Sequence, residues 1–459
     1  MKRFNTLYIT ALITALLLSA CNKQLDLKPH QQVEQDQAIR TATDVQITLV
    51  GAYNRAGLQD LYGGGVFLYP DLMASQSALD WRGTFAGLTQ MATQRLLVDN
   101  FNVDNVWLYA YQTINQTNNV LANLDKVNAA DKNRTEGESK FLRGMVYFDL
   151  VRLFGKSWND GDPATNLGVP IVLTPTTTVT EASYVSRATV AQVYQQAIAD
   201  LTDAETKLGK GITFFANSYS ASAILARLYL QKGDFTNAAA EATKVIGSGA
   251  YNLNANYADE FPYPNGTGAH VDNTSEDIFA IQITNQQGVN YLNTFYATSG
   301  DGGRGEIVIR DNFVSGFEAG DSRADIYVAD SDGNIRCHKF DNIYGNVHVI
   351  RLAELYLIRA ESRLNLGDRN GALQDINVIR KRAGLANLSL ASSFSVANAP
   401  AAIQKERTHE LAFEGFFLHD VKRLKLNAAS LPYNSPRLIF PIPYLEMNAN
   451  KNLKQNEGY

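Results

Sequence analysis

"ARLYLQKGDFTNAAAEATKVI" (residues 226–246) and "AESRLNLGDRNGALQDINVI" (residues 360–379) are two versions of one pattern. With Ala226 set on Ala360, Gly233-Asp234 falls on Gly367-Asp368 and Ala238 on Ala372. Small alanines let two antiparallel helices approach closely. The glycine ends the first helix and the aspartate caps the second. This is the skeleton of a tetratricopeptide (TPR) helical hairpin. Two copies predict a mainly α fold, a TPR-like helical-hairpin solenoid.

Helical apolar spacing recurs at 44–58, 104–127, 135–155, 189–209 and 399–426, with Thr189 as an N-cap and Asp44 capping the first of these. The predicted helices fall in two blocks, about 41–250 and 349–427. Between and within them lie stretches that do not fit a solenoid. Residues 60–100 are rich in Gly and Tyr, and 156–187 in Pro and Thr. The longest, 251–348, carries Asn-Gly and Asp-Gly turn signals and short alternating pieces such as "EIVIR" (306–310) and "IFAIQIT" (278–284). It reads as loops with short β-hairpins. Long irregular insertions in a compact body are usually functional, so the ligand face is expected there.

The first residues point to export. Lys2 and Arg3 precede an apolar run from Leu7 to Ala20, too short to span a bilayer and of the length of a signal peptide. "LSAC" (18–21) matches the bacterial lipoprotein box, so residues 1–20 are predicted to be removed and Cys21 to be acylated. Residues 21–40 would form a tether and 41–459 the body. Cys337 is then left without an intrachain partner, which argues against a disulfide scaffold. The net charge of −5 over 459 residues is too mild to suggest a nucleic-acid partner.

No catalytic pattern in the sequence is complete. "HELAF" (409–413) has Phe413 where a zinc-binding H-E-x-x-H helix needs its second histidine. Glu406, Glu410 and Glu414, four apart, read as an ion-paired helix surface. "DSDGN" (330–334) reads as a type I′ hairpin turn rather than a calcium loop, and "GDGGRG" (300–305) as a mobile surface loop. No G-x-S-x-G elbow occurs. The expectation is a binding protein with no catalytic residue, metal ligand set or cofactor.

Several ordered motifs carry a family resemblance. They include "FLRGMVYFDLVRLFG" (141–155), "LGVPIVL" (167–173), "VIRLAELYLIRAESRLNLGD" (349–368), "INVIRKRAGL" (376–385), "ERTHELAFEG" (406–415) and the close "RLIFPIPYLEMNANKNLKQNEGY" (437–459). The chain resembles the SusD/RagB outer-membrane lipoproteins of Bacteroidetes over nearly its whole length. One departure is that Phe417 and Leu418 follow "ELAFEG", where the family usually has an arginine and an aromatic residue. The resemblance implies a surface-exposed, lipid-anchored outer-membrane protein. It also implies a SusC-like TonB-dependent transporter as partner, over which the lipoprotein closes as a lid. Many relatives bind oligosaccharides and others serve peptide uptake. An extracytoplasmic glycoside hydrolase, using loop acids such as Asp80, Asp301 and Asp311, is the third reading.

A saccharide site needs an aromatic face for the C–H side of a sugar ring and polar groups for its hydroxyls. "ALDWRGTF" (78–85) offers Asp80, Trp81, Arg82 and Phe85, in a loop region that often contributes to the glycan site of SusD-like proteins. "NYLNTFY" (290–296) offers Asn290, Tyr291, Asn293 and Tyr296, and Arg304 follows in the next loop. Trp107 and Trp158 read as structural.

Overall fold

The chain enters its first helix, α1 (Ala42–Ala56), through a reciprocal cap. The Thr41 hydroxyl accepts the Asp44 amide, and the Asp44 carboxylate accepts the Thr41 amide. Asp44 is therefore the third helical residue and Thr41 the cap, which corrects the sequence reading. The computed structural model describes residues 39–263, 269–286 and 288–459. Cys21, the signal segment and nearly all of the tether lie outside the described residues.

Seven further helices complete the first block: α2 (Gly65–Ala74), α3 (Ala86–Ala92), α4 (Phe101–Leu121), α5 (Ala129–Phe154), α6 (Val190–Lys207), α7 (Ser218–Lys232) and α8 (Phe235–Ile246). Thr189 caps α6 as expected, its hydroxyl accepting the Gln192 amide. α1 packs on α4, α4 on α5, α5 on α6, α6 on α7 and α7 on α8, the serial order of a solenoid. Two short helices, α9 (Tyr291–Tyr296) and α10 (Asp311–Val314), lie in the intervening segment. The second block is α11 (Leu352–Asn365), α12 (Arg369–Arg382), α13 (Ala399–Glu410) and α14 (Phe417–Arg423), followed by α15 (Tyr444–Ala449).

The repeat forms as its sequence predicts. Gly233 and Gly367 take φ of +76° and +86°, and the side chains of Asp234 and Asp368 accept the amides of Asn237 and Gly371. Ala226, Ala238, Ala360 and Ala372 are fully buried at the helix contacts. α8 packs directly on α11, so the two blocks join despite the long insertion between them.

The insertion supplies most of the strands. A four-stranded antiparallel sheet has the order β1 (Leu79–Trp81), β3 (Ile307–Ile309), β5 (Ile335–Cys337), β4 (Tyr327–Ala329). A second sheet pairs β2 (Asp277–Ile281) with β6 (Val347–Arg351). "DSDGN" closes the β4–β5 hairpin, but only Gly333 has positive φ, so the turn is not type I′, which needs two left-handed residues.

Three further readings change. Residues 60–100 contain α2, whose ten residues are all buried and so show no amphipathic period. The helix expected over 399–426 is broken: Phe413 and Gly415 have φ of +64° and +83°. There the Asp71 carboxylate accepts the Gly415 and Phe417 amides at 2.9 and 3.4 Å, replacing helical bonds. Finally, the Glu406–Glu410–Glu414 stripe is buried, not a solvated face. Arg323 and Arg380 bond Glu406, and Arg351 bonds Glu410, Glu414 and Glu276 at 2.7 to 2.8 Å. Lys339 completes the set on Glu414 at 2.5 Å. Burial alone would raise the Glu414 carboxyl, but Arg351 and Lys339 hold it down at about 2.

Candidate functional site

β1 is an edge strand, paired only with β3, so residues just past its end stand at the border of the sheet. Asp80 lies opposite Val308 and Trp81 opposite Ile307, and the Arg82 amide extends the ladder to the Glu306 carbonyl at 2.8 Å. This register sets the 80–85 loop beside the 304–306 turn. The Trp81 indole donates to Thr89 Oγ1 of α3 at 3.0 Å, and its ring packs against Phe295 at 5.6 Å. Phe85 meets the same Phe295 edge-on at 5.6 Å and is 46% exposed. Arg304 lies over the Phe85 ring, its Cζ 4.9 Å from the centroid. Trp81, Phe85 and Arg304 thus share one half-exposed platform on a buried Phe295.

Polar groups ring it. Arg82 donates to Asp80 at 3.2 Å and to Asn334 of the β4–β5 turn at 2.6 Å. Arg310 reaches the other Asp80 oxygen at 3.3 Å. Arg304 holds Glu306 Oε1 through Nε and Nη2 at 2.9 and 2.8 Å. Glu306 Oε2 is buried with no hydrogen-bond donor, beside Gly83, where a Cβ would stand 2.7 Å from it. An unpaired carboxylate oxygen of this kind leaves an acceptor unfilled beneath Gly83. Sequence reasoning missed Glu306. Its signal was weak: a carboxylate two residues after Arg304, at the start of an alternating strand.

The other candidates sort differently. Asn290 is buried and caps α9 by accepting the Leu292 amide, while its amide nitrogen donates to the Gly345 carbonyl. Asn293 is fully buried and donates to the carbonyls of Asp301, Phe340 and Asp341. Tyr296 is 1% exposed, packed on Phe340 and Phe413. Tyr291 packs edge-on against Phe295 and Tyr69, and burial pushes its phenol up to about 12. These four build the floor rather than the surface. Nor is "GDGGRG" a free loop: the amides of Gly303, Arg304 and Gly305 bond the carbonyls of Thr298, Thr294 and Ala297, which fixes Arg304 above α9.

Asp301 accepts from Tyr263 and Thr298 at 2.8 and 2.7 Å, so this acid, like Asp80, is already engaged by protein groups. His409 of "HELAF" stacks on Phe317 at 4.1 Å. Trp107 is core, and Trp158 packs on Tyr194. Two larger cavities, of about 840 and 580 Å³, lie along α4 and α1, and none of the nine candidate residues lines either.

Two family models match this chain. One, described as "Starch-binding associating with outer membrane", covers residues 23–230, and the SusD family model covers 334–430. The chain belongs to the SusD/RagB family. Its similarity to SusD-like protein P2 of Formosa agariphila is 24% identity over 530 residues, spanning 100% of both chains. The starch-binding protein SusD of Bacteroides thetaiotaomicron is 33% identical over 174 residues, 35% of this chain and 30% of that one. A SusD superfamily protein from B. thetaiotaomicron superposes with TM-score 0.77 at 28% identity, covering 91% of this chain and all of that one. Another from Bacteroides vulgatus gives 0.79 at 23% identity over 92% and 100%. In this SusD/RagB chain the Trp81 half of the platform falls within the first family match. The Phe295, Arg304 and Glu306 half falls between the two.

Proposed function

We propose that this protein binds a saccharide on the Trp81 platform and serves as a surface lipoprotein partner of a SusC-like TonB-dependent transporter. One observation carries the reading: Trp81 and Phe85, set on Phe295, lie beside Arg82, Arg304, Asp80 and the unpaired Glu306 oxygen. Aromatic rings take the apolar face of a sugar, and charged groups already fixed by one another take its hydroxyls without reorganising. The family model's description joins starch binding to the outer membrane, and SusD itself is named a starch-binding protein; both support the reading. Among the described residues no helix is long and apolar enough to cross a membrane, which fits anchorage through acylated Cys21.

Native electrophoresis in gels containing starch-type or other polysaccharides tests the binding, and pull-down from outer membranes tests the partner. Retardation by a polysaccharide, with co-recovery of a large barrel protein, is expected. Binding of oligopeptides alone would replace saccharide by peptide as the cargo. Cys21→Ser should move the protein from the membrane fraction to the soluble fraction, and persistence at the membrane would refute the anchor.

A further inference from the structure

Glu260, Asp277 and His348 come from three separate segments: the end of the 3₁₀ turn Tyr257–Glu260, the start of β2 and the second residue of β6. Glu260 and Asp277 are 0% and 3% exposed, and the His348 side chain 10%. His348 Nδ1 lies 2.5 Å from Asp277 Oδ1 and 3.4 Å from Glu260 Oε1. All three ligand atoms lie within 4.8 Å of one another. Nδ1 carries at most one proton, and that bond goes to Asp277, so the fully buried Glu260 Oε1 has no hydrogen-bond donor. Its neighbour Oε2 has two, Asn254 Nδ2 at 2.6 Å and Thr274 Oγ1 at 2.5 Å. The Thr274 amide holds the outer Asp277 oxygen at 2.9 Å.

Charge points the same way. Next to this cluster Glu276, Glu410 and Glu414 are balanced by Arg351, Arg382 and Lys339. The guanidinium of Arg351, the cation that acts on Glu260 from this side, is committed to those three glutamates. Glu260 and Asp277 are left with His348 alone. Two buried carboxyl groups facing one imidazole are a site that a bound cation would neutralise.

We propose that Glu260, Asp277 and His348 bind one divalent transition-metal ion, with zinc as the type ion. A nitrogen and two carboxylate oxygens are a zinc-type donor set, whereas calcium and magnesium take shells of oxygen. Four donors at zinc distances stand about 3.3 Å apart; the His348–Glu260 spacing of 3.4 Å matches this, and the 2.5 Å His348–Asp277 hydrogen bond would open as the ion replaces its proton. Thr274 and Asn254 already orient both carboxylates from behind, as second-layer groups do in metal sites. A cavity of about 20 Å³ lined by Asp277, His348, Thr274 and Lys339, though not by Glu260, adjoins the cluster and has room for one water. The ion would clamp the 257–260 turn to the β2–β6 sheet, a structural role separate from the Trp81 platform.

The test is metal analysis of protein purified without chelator, followed by chelation and titration with Zn²⁺ and Co²⁺. One equivalent of metal is expected, with a Tm raised by several degrees on Zn²⁺ addition and visible d–d absorption from bound Co²⁺. Glu260→Gln and His348→Gln should each weaken binding at least about 100-fold. Wild-type protein with neither metal, Tm shift nor Co²⁺ absorption overturns the site. So does stoichiometric binding that both variants retain.

Discussion

Gly83 decides where the Trp81 indole lies. A Cβ at that position would stand 2.3 and 2.5 Å from Cζ2 and Cη2 of the ring, closer than any real contact. Gly83→Ala must therefore push the indole off Phe295 while leaving the sheet pairing of Trp81 intact. It should weaken ligand binding about tenfold or more, with Tm changed little, as titration of the variant would show. His409 makes a second prediction at this scale. Burial, and then Arg323, lower its pKa to about 4. An unfolded histidine titrates near 6.5, so between about 6.5 and 4 the unfolded chain binds the extra proton. Its contribution to stability is complete above about 6.5 and lost as pH falls toward 4. Glu414, held at about 2, adds its own loss only below the ordinary glutamate range. The urea midpoint of the wild type should thus drop between pH 7.5 and pH 5, and His409→Gln should flatten that drop. An equal drop in both would assign it elsewhere.

At the scale of elements, what was legible in the sequence was what is local. The Gly-Asp turns at 233–234 and 367–368 specify their own geometry, and Thr189 and Gln192 cap α6 without help from the rest of the chain. The break between α13 and α14 was not legible, because Asp71, far away in sequence, supplies the bonds that replace the helix. Likewise α2, buried on every side, shows no apolar stripe, and the spacing of Glu406, Glu410 and Glu414 is the same for a solvated face as for a buried one. The candidate site divides similarly. The aromatic-and-charge content of 80–85 was visible, but only tertiary packing sends Asn293 and Tyr296 inward and brings Glu306 to the indole. The buried ion network tying α12 and α13 to β6 makes a further prediction. Removing one member strands its partners, so Arg351→Ala should lower unfolding stability by about 3–5 kcal/mol, read from urea denaturation. A loss below about 1 kcal/mol would mean that water or a rearranged side chain replaces the guanidinium.

Across the whole molecule, the solenoid acts as a scaffold that brings distant pieces of chain to one edge. α8 and α11 close the two helical blocks on each other, and the insertion between them folds back so that β3 pairs with β1. That pairing joins residues 80–85 to 304–306 and is the reason a platform exists. In the proposed function a saccharide binds there. Calorimetric titration of the protein and of its Trp81→Ala variant with a panel of oligosaccharides tests it most directly. Saturable heat with at least one oligosaccharide is expected, with at least tenfold weaker binding by the variant, about 1.4 kcal/mol or more. Saccharide binding of unchanged affinity in Trp81→Ala would contradict it.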